Sequence, residues 1–105
     1  MTVFIPDLRQ TLPVPDKGIV SRVLQDDDTV KIVLYGFASG HQMKLHAAPV
    51  PAMLYFVEGE AILTLGEDTM TVGMGAFAHM PANLKHAIVA NTPTLLLLVI
   101  VKIAH

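Results

Sequence analysis

Histidine is the residue type in this sequence best suited to building a site, and it occurs as His41, His46, His79, His86 and His105. An imidazole can ligate a metal, carry a proton or orient a substrate near neutral pH. There are no cysteines, which excludes disulfides, thiolate catalysis and cysteine-based zinc sites. Any metal would be held by nitrogen and oxygen. Ser21 and Ser39 sit in no nucleophile motif and the acidic residues fall in turn-like stretches, so no serine, histidine and aspartate arrangement is suggested. His105 is the chain end and reads as polar surface, as does His41 in a loop.

Whatever positions these side chains is built from strands. Turn signals such as Asp26-Asp27-Asp28, Ser39-Gly40, Gly66-Glu67-Asp68, Pro81-Ala82-Asn83 and Asn91-Thr92-Pro93 recur about every ten residues, the spacing of an all-β sandwich or barrel. Thr29–Phe37 and Ala61–Leu65 are rich in β-branched and aromatic residues and suit a pleated, half-buried surface. Leu54–Val57 and Ala61–Leu65, joined through Gly59, read as a hairpin whose glycine supplies a positive φ. Pro or Gly interrupts nearly every window long enough for a helix.

Residues 95–103 are apolar on both alternating faces except at Lys102, which predicts a strand covered on both sides, the second cover being a partner subunit. Residues 1–17 hold Pro6, Pro13 and Pro15 and read as an extended arm with an edge strand around Val3–Ile5. Residues 18–105 then form one barrel domain, the chain of 105 residues being too short for two ordinary domains. Hydrophobic residues make up 52% and charged ones 15%, against about 25% charged in an average soluble domain. A small domain has little interior for that excess, so a homodimer is expected.

The net charge is −2, with Arg9, Lys17, Arg22, Lys31, Lys44, Lys85 and Lys102 scattered singly. A nucleic-acid partner needs clustered basic residues and is not expected. The Asp26–Asp28 run reads as a solvated turn between strands. The longest apolar run, Leu95–Val101, is far short of the roughly 20 residues that span a bilayer. The first residues, Met1–Asp7, lack a basic region and a cleavage site, so a cytoplasmic protein is expected.

Gly40–Gly59 and Gly75–Asn91 together resemble the two motifs of the cupin superfamily, in particular its small single-domain, RmlC-like members. In the first motif Gly40, His46 and Gly59 match, Ala48 stands where a second histidine would be, and Ala52 stands where a glutamate would be. In the second, Gly75, Pro81 and His86 match and Asn83 replaces a glycine, a mild change because asparagine tolerates the left-handed conformation. The resemblance implies an all-β jelly-roll barrel, or double-stranded β-helix, whose interior holds a divalent metal on three histidines and a glutamate. Here two of those four ligands are gone.

Two functions follow from that resemblance. The first is a binding module: an apolar barrel pocket holding a small organic ligand, oriented by His46 and His86 and walled by Phe56, Phe77 and Met80. The second is a metal-dependent enzyme of the dioxygenase, isomerase or decarboxylase kinds, using a reduced site of His46 and His86 for zinc, nickel, manganese or iron. His79 would be a third ligand if Phe77 and His79 face inward. It would face solvent or a neighbouring sheet if Ala78 and Met80 do.

Overall fold

The computed structural model describes residues 2–102; His105 and the last position of the 95–103 segment lie outside them. Among the described residues, nine strands follow a short 3-10 turn at Leu8–Gln10: β1 (Ile19–Asp26), β2 (Val30–Phe37), β3 (Gln42–His46), β4 (Ala52–Glu58), β5 (Ala61–Leu65), β6 (Asp68–Val72), β7 (Phe77–Met80), β8 (His86–Ala90) and β9 (Thr94–Val101). They form a five-stranded sheet, β1-β2-β9-β4-β7, and a four-stranded sheet, β3-β8-β5-β6. Every pairing is antiparallel. The all-β jelly-roll expectation holds. No helix among the described residues is long and apolar enough to cross a membrane.

The two sheets enclose one core. Phe37, Leu54, Phe56, Leu63, Met80, Ile88 and Leu96 form its buried centre, with Met43, Leu65, Met70 and Leu98 packed around them. These residues alternate along their strands with outward-facing ones, as a pleated backbone requires.

β4 and β5 do not form the expected hairpin. β4 pairs with β7 and β9, and β5 with β6 and β8, so Gly59 turns a corner from one sheet to the other. It does have positive φ (90°), as a hairpin glycine would, but its constraint is long-range. A Cβ there would lie 2.3 Å from the carbonyl oxygen of Pro93 and 2.7 Å from Thr94. The two-residue hairpin is instead β5–β6, with Leu65 opposite Asp68 and Gly66 at φ 63°.

The acidic run is the turn between β1 and β2. The Asp27 carboxylate accepts from the backbone N–H groups of Val30 and Thr29, the Gln25 amide and the Thr29 hydroxyl. These bonds, led by that from Val30, hold its carboxyl well below the usual carboxylate range. A depressed folded-state pKa means that the turn's contribution to stability is present at neutral pH and is lost as the pH falls into the acid range.

β9 has two apolar faces and both are used. Leu96 and Leu98 point into the barrel. On the other face Leu95, with Leu34 and Val57, forms a second core against Leu8, Leu12 and Val14 of the N-terminal segment. That segment carries no strand at Val3–Ile5; it passes over the sheet so closely that a Cβ on Gly36 would meet Val14 and Pro15 at 3.4 Å. Part of the cover expected from a partner subunit is therefore supplied by the chain itself.

Gly59→Ala is expected to lower unfolding free energy by about 3 kcal/mol, from strain and backbone collision combined. Gly73, with open space around it, serves as the reference, and Gly73→Ala should stay within about 0.5 kcal/mol of wild type. Urea denaturation of both variants decides the matter; equal midpoints would refute the corner's constraint.

Candidate functional site

His46 and His86 meet at one end of the barrel. They are cross-strand partners, on the last residue of β3 and the first of β8, and their rings lie 4.2 Å apart between centroids, tilted by 58°. His86 is 6% exposed, whereas His46 is open to solvent.

Local irregularity produces this meeting. Met43 pairs with Ile88 and His46 with His86, so β3 carries one extra residue between the two pairs, a β-bulge. Partners across an antiparallel ladder project on one face, and Ile88 and His86 both face the interior. The bulge therefore turns both Met43 and His46 inward despite their odd separation. Leu45, which a regular strand would place opposite His86, is 56% exposed instead.

Each ring is oriented from within its own strand. His46 Nδ1 lies 2.7 Å from the Lys44 carbonyl oxygen and His86 Nδ1 lies 2.9 Å from that of Leu84. A carbonyl can only accept, so each Nδ1 carries the donated hydrogen. In the neutral imidazoles Nε2 is then a free lone pair on both rings. No buried side-chain nitrogen or oxygen among the described residues lacks a partner. The Nε2 of His86 makes no hydrogen bond among the described residues and is therefore not completely enclosed.

The loops around the pair are tied together. The Asn83 N–H donates to the Ala48 carbonyl oxygen at 2.7 Å, joining the segment after β3 to the one before β8. Asn83 has φ 70°, the only positive value outside glycine among the described residues, so asparagine does occupy the left-handed position expected of it. Ala52 is buried and faces the interior opposite Met80 and Ile100, and Ala48 is half-buried in the loop after β3.

The other residues singled out in the sequence lie elsewhere. Ala78 and Met80 face inward, so Phe77, at 63% exposed, and His79 point away from the core. The alternative with His79 as a third inward histidine is not the one adopted, and Phe77 walls no interior pocket. Phe56 and Met80 are fully buried in the barrel core. His41 accepts at Nε2 from the Gly18 N–H, 3.1 Å away, and so fastens the start of β3 to the approach of β1. Two cavities of about 330 and 190 Å³ lie outside the barrel, where Val3, Leu24 and Gln25 line both.

As a donor set the site is sparse. No group of three histidine, cysteine or carboxylate side chains among the described residues could hold a metal ion. Two imidazole nitrogens fall short of the three to four protein ligands usual for a divalent zinc site, and neither Ala48 nor Ala52 can add one. What the pair can do is accept or share hydrogen bonds with a ligand at the barrel mouth.

Comparisons with known proteins agree with this architecture. None of the curated proteins matches the sequence. A conserved protein of unknown function from Streptococcus pyogenes superposes with a TM-score of 0.88 at 28% identity, covering 100% of this chain and 92% of that one. A cupin superfamily protein from Desulfitobacterium hafniense gives 0.81 at 21%, over 86% of this chain and 83% of that one. A salicylate 1,2-dioxygenase mutant from Pseudoaminobacter salicylatoxidans gives 0.74 at 14%, over 82% of this chain and 28% of the other; at that identity the likeness is one of fold alone. The family model for the cupin domain matches residues 33–101, the span from β2 to the end of β9 that holds both histidines, and the chain belongs to the cupin family.

Proposed function

We propose that this cupin binds a small organic molecule at the mouth of its barrel, with the Nε2 atoms of His46 and His86 as the polar groups that orient it. The observation that carries this reading is the pair itself: two rings 4.2 Å apart, each with Nδ1 committed to a carbonyl. Two acceptors fixed in this way and backed by Leu65, Met43 and Met80 of the core suit a ligand with an apolar body and a hydroxyl or similar donor. Fixing the rings in advance reduces the entropy lost on binding. The protein acts as a homodimer, a reading supported by its low charge and by the outer apolar face of its five-stranded sheet.

The metal-dependent alternative is not favoured by the donor set. A divalent ion here would have two neutral protein ligands and no anionic one, so no reaction step is assigned to a metal.

Phenol and toluene separate the polar from the apolar part of the proposal. Phenol is expected to bind about tenfold more tightly, the worth of one hydrogen bond, and to lose that preference in the His46→Leu/His86→Leu variant. Saturation-transfer NMR measures both. Equal binding of the two compounds to wild type, or a preference that survives in the variant, would contradict it.

Rebuilding the missing ligands tests why the site is sparse. The Ala48→His/Ala52→Glu variant should gain roughly 100-fold or more in zinc or nickel affinity by isothermal titration, because it restores a four-ligand set with one carboxylate. Affinities equal to wild type would show that these two positions do not decide metal binding.

A further inference from the structure

The start of the N-terminal segment stands off the sheet that it crosses. Val3–Ile5 form no strand, and among the described residues no backbone hydrogen bond joins Val3, Phe4 or Ile5 to β1. The segment is seated from Leu8 onward, where Leu8, Leu12 and Val14 pack over Leu34, Val57 and Leu95. On the sheet side a β-bulge interrupts β1: Val23 pairs with Val33 and Gln25 with Ile32, which leaves Leu24 unpaired between them. Leu24 packs on the same outer cluster as the segment. A segment held off the sheet above a strand that bulges leaves a groove between the two.

The two cavities outside the barrel are successive parts of that groove, since Val3, Leu24 and Gln25 line both. Their ends differ in chemistry. The cavity of about 190 Å³ is closed by Ile5, Leu8, Ile32 and Leu97, all half-buried. The cavity of about 330 Å³ ends on Asp26 and Asp27 and falls within the range of small-ligand sites, ~300 to 1,000 Å³.

The carboxylates at that end have capacity left. Asp27 Oδ1 accepts from Thr29 and Val30, whereas Oδ2 accepts only from the Gln25 amide, so a lone pair remains on Oδ2. Asp26 is paired with Lys102 through Oδ1 alone. The three aspartates of the run outnumber the two lysines, Lys102 and Lys31, that act on Asp26. Arg22, opposite Leu34 on the same face, is held at the Thr11 carbonyl oxygen instead, 3.1 Å away. The groove therefore runs from an apolar floor to an anionic rim.

We infer that this groove is a second binding site, separate from the histidine pair, and that it takes a small amphipathic cation. The alkyl or aryl-alkyl body lies against Leu24, Ile32 and Leu97, and the ammonium donates to the free carboxylate oxygens of Asp27 and Asp26, a charge-assisted contact. A neutral alcohol of the same shape gains only the apolar contacts, and a carboxylate meets like charge at the rim. His46 and His86 belong to the other sheet, so the two sites do not overlap.

Hexylammonium, hexanol and hexanoate share a chain and differ in the head group. Each is titrated into the isotope-labelled full chain at neutral pH and followed by amide chemical shifts. Hexylammonium should give saturable shifts at Leu24, Gln25 and Ile32 and bind about tenfold more tightly than hexanol, the worth of one charge-assisted hydrogen bond, with hexanoate weaker still. Asp26→Asn, at an exposed position, should reduce the preference for the ammonium roughly threefold. Val3→Ser/Ile5→Ser removes apolar wall from a stretch with no backbone pairing to lose, and should weaken hexylammonium roughly tenfold. The His46→Leu/His86→Leu variant should bind it in the groove as wild type does. Shifts confined to the surroundings of His46 and His86, no saturable shift in the groove, or equal affinity for hexylammonium and hexanoate would overturn the site. A preference unchanged in Asp26→Asn, or an affinity unchanged in Val3→Ser/Ile5→Ser, would overturn its placement beneath the segment.

Discussion

β9 is apolar on both faces, and a strand of that kind needs two covers. It lies at the centre of the five-stranded sheet, between β2 and β4, and organises the molecule around that need. Its inner residues Leu96 and Leu98 belong to the barrel core, where the facing sheet supplies Leu63 and Ile88. Its outer residues Leu95 and Leu97 draw Leu8, Leu12 and Val14 onto the back of the sheet. The corner at Gly59 serves the same strand: it is pressed against Pro93 and Thr94, where β9 begins, and is further fixed by the Asn91 and Thr92 N–H groups donating to the Glu60 carbonyl oxygen.

Much of this was legible in the sequence because it is encoded in periodicity and turn chemistry. The strands β2 and β5 and the acidic turn around Asp27 follow from local residue types, and the left-handed Asn83 follows from the resemblance to the cupin motifs. The corner at Gly59 was not, since a glycine with positive φ makes an equally good hairpin, and only the distant Pro93 distinguishes the two. The parity of β7 was hidden for a related reason. Phe77-Ala78-His79-Met80 offers one aromatic and one aliphatic residue to different faces, and both faces of this sheet are apolar, so hydrophobicity cannot tell inside from outside. The bulge in β3 carries no glycine or other mark in Met43-Lys44-Leu45-His46 that would announce it.

At the site, the motif spacing pointed to His46 and His86, which are cross-strand neighbours in the structure, but it could not supply the orientation of the rings. That depends on backbone carbonyls of Lys44 and Leu84, each two residues before its histidine. A ring anchored to its own strand keeps its direction without help from a neighbouring carboxylate. Both rings are aimed in this way although Ala48 and Ala52 occupy the places where the resemblance would put further ligands.

The same anchoring confines the pair to one part of the molecule. Both histidines, and the bonds that aim them, are contained within one sheet and its adjoining loops, whereas the N-terminal segment packs against the other. The two sheets share a core, but the aim of the imidazoles is set within only one of them. Substitutions in the N-terminal segment or on the back of the five-stranded sheet therefore leave the bonds that aim the imidazoles in place.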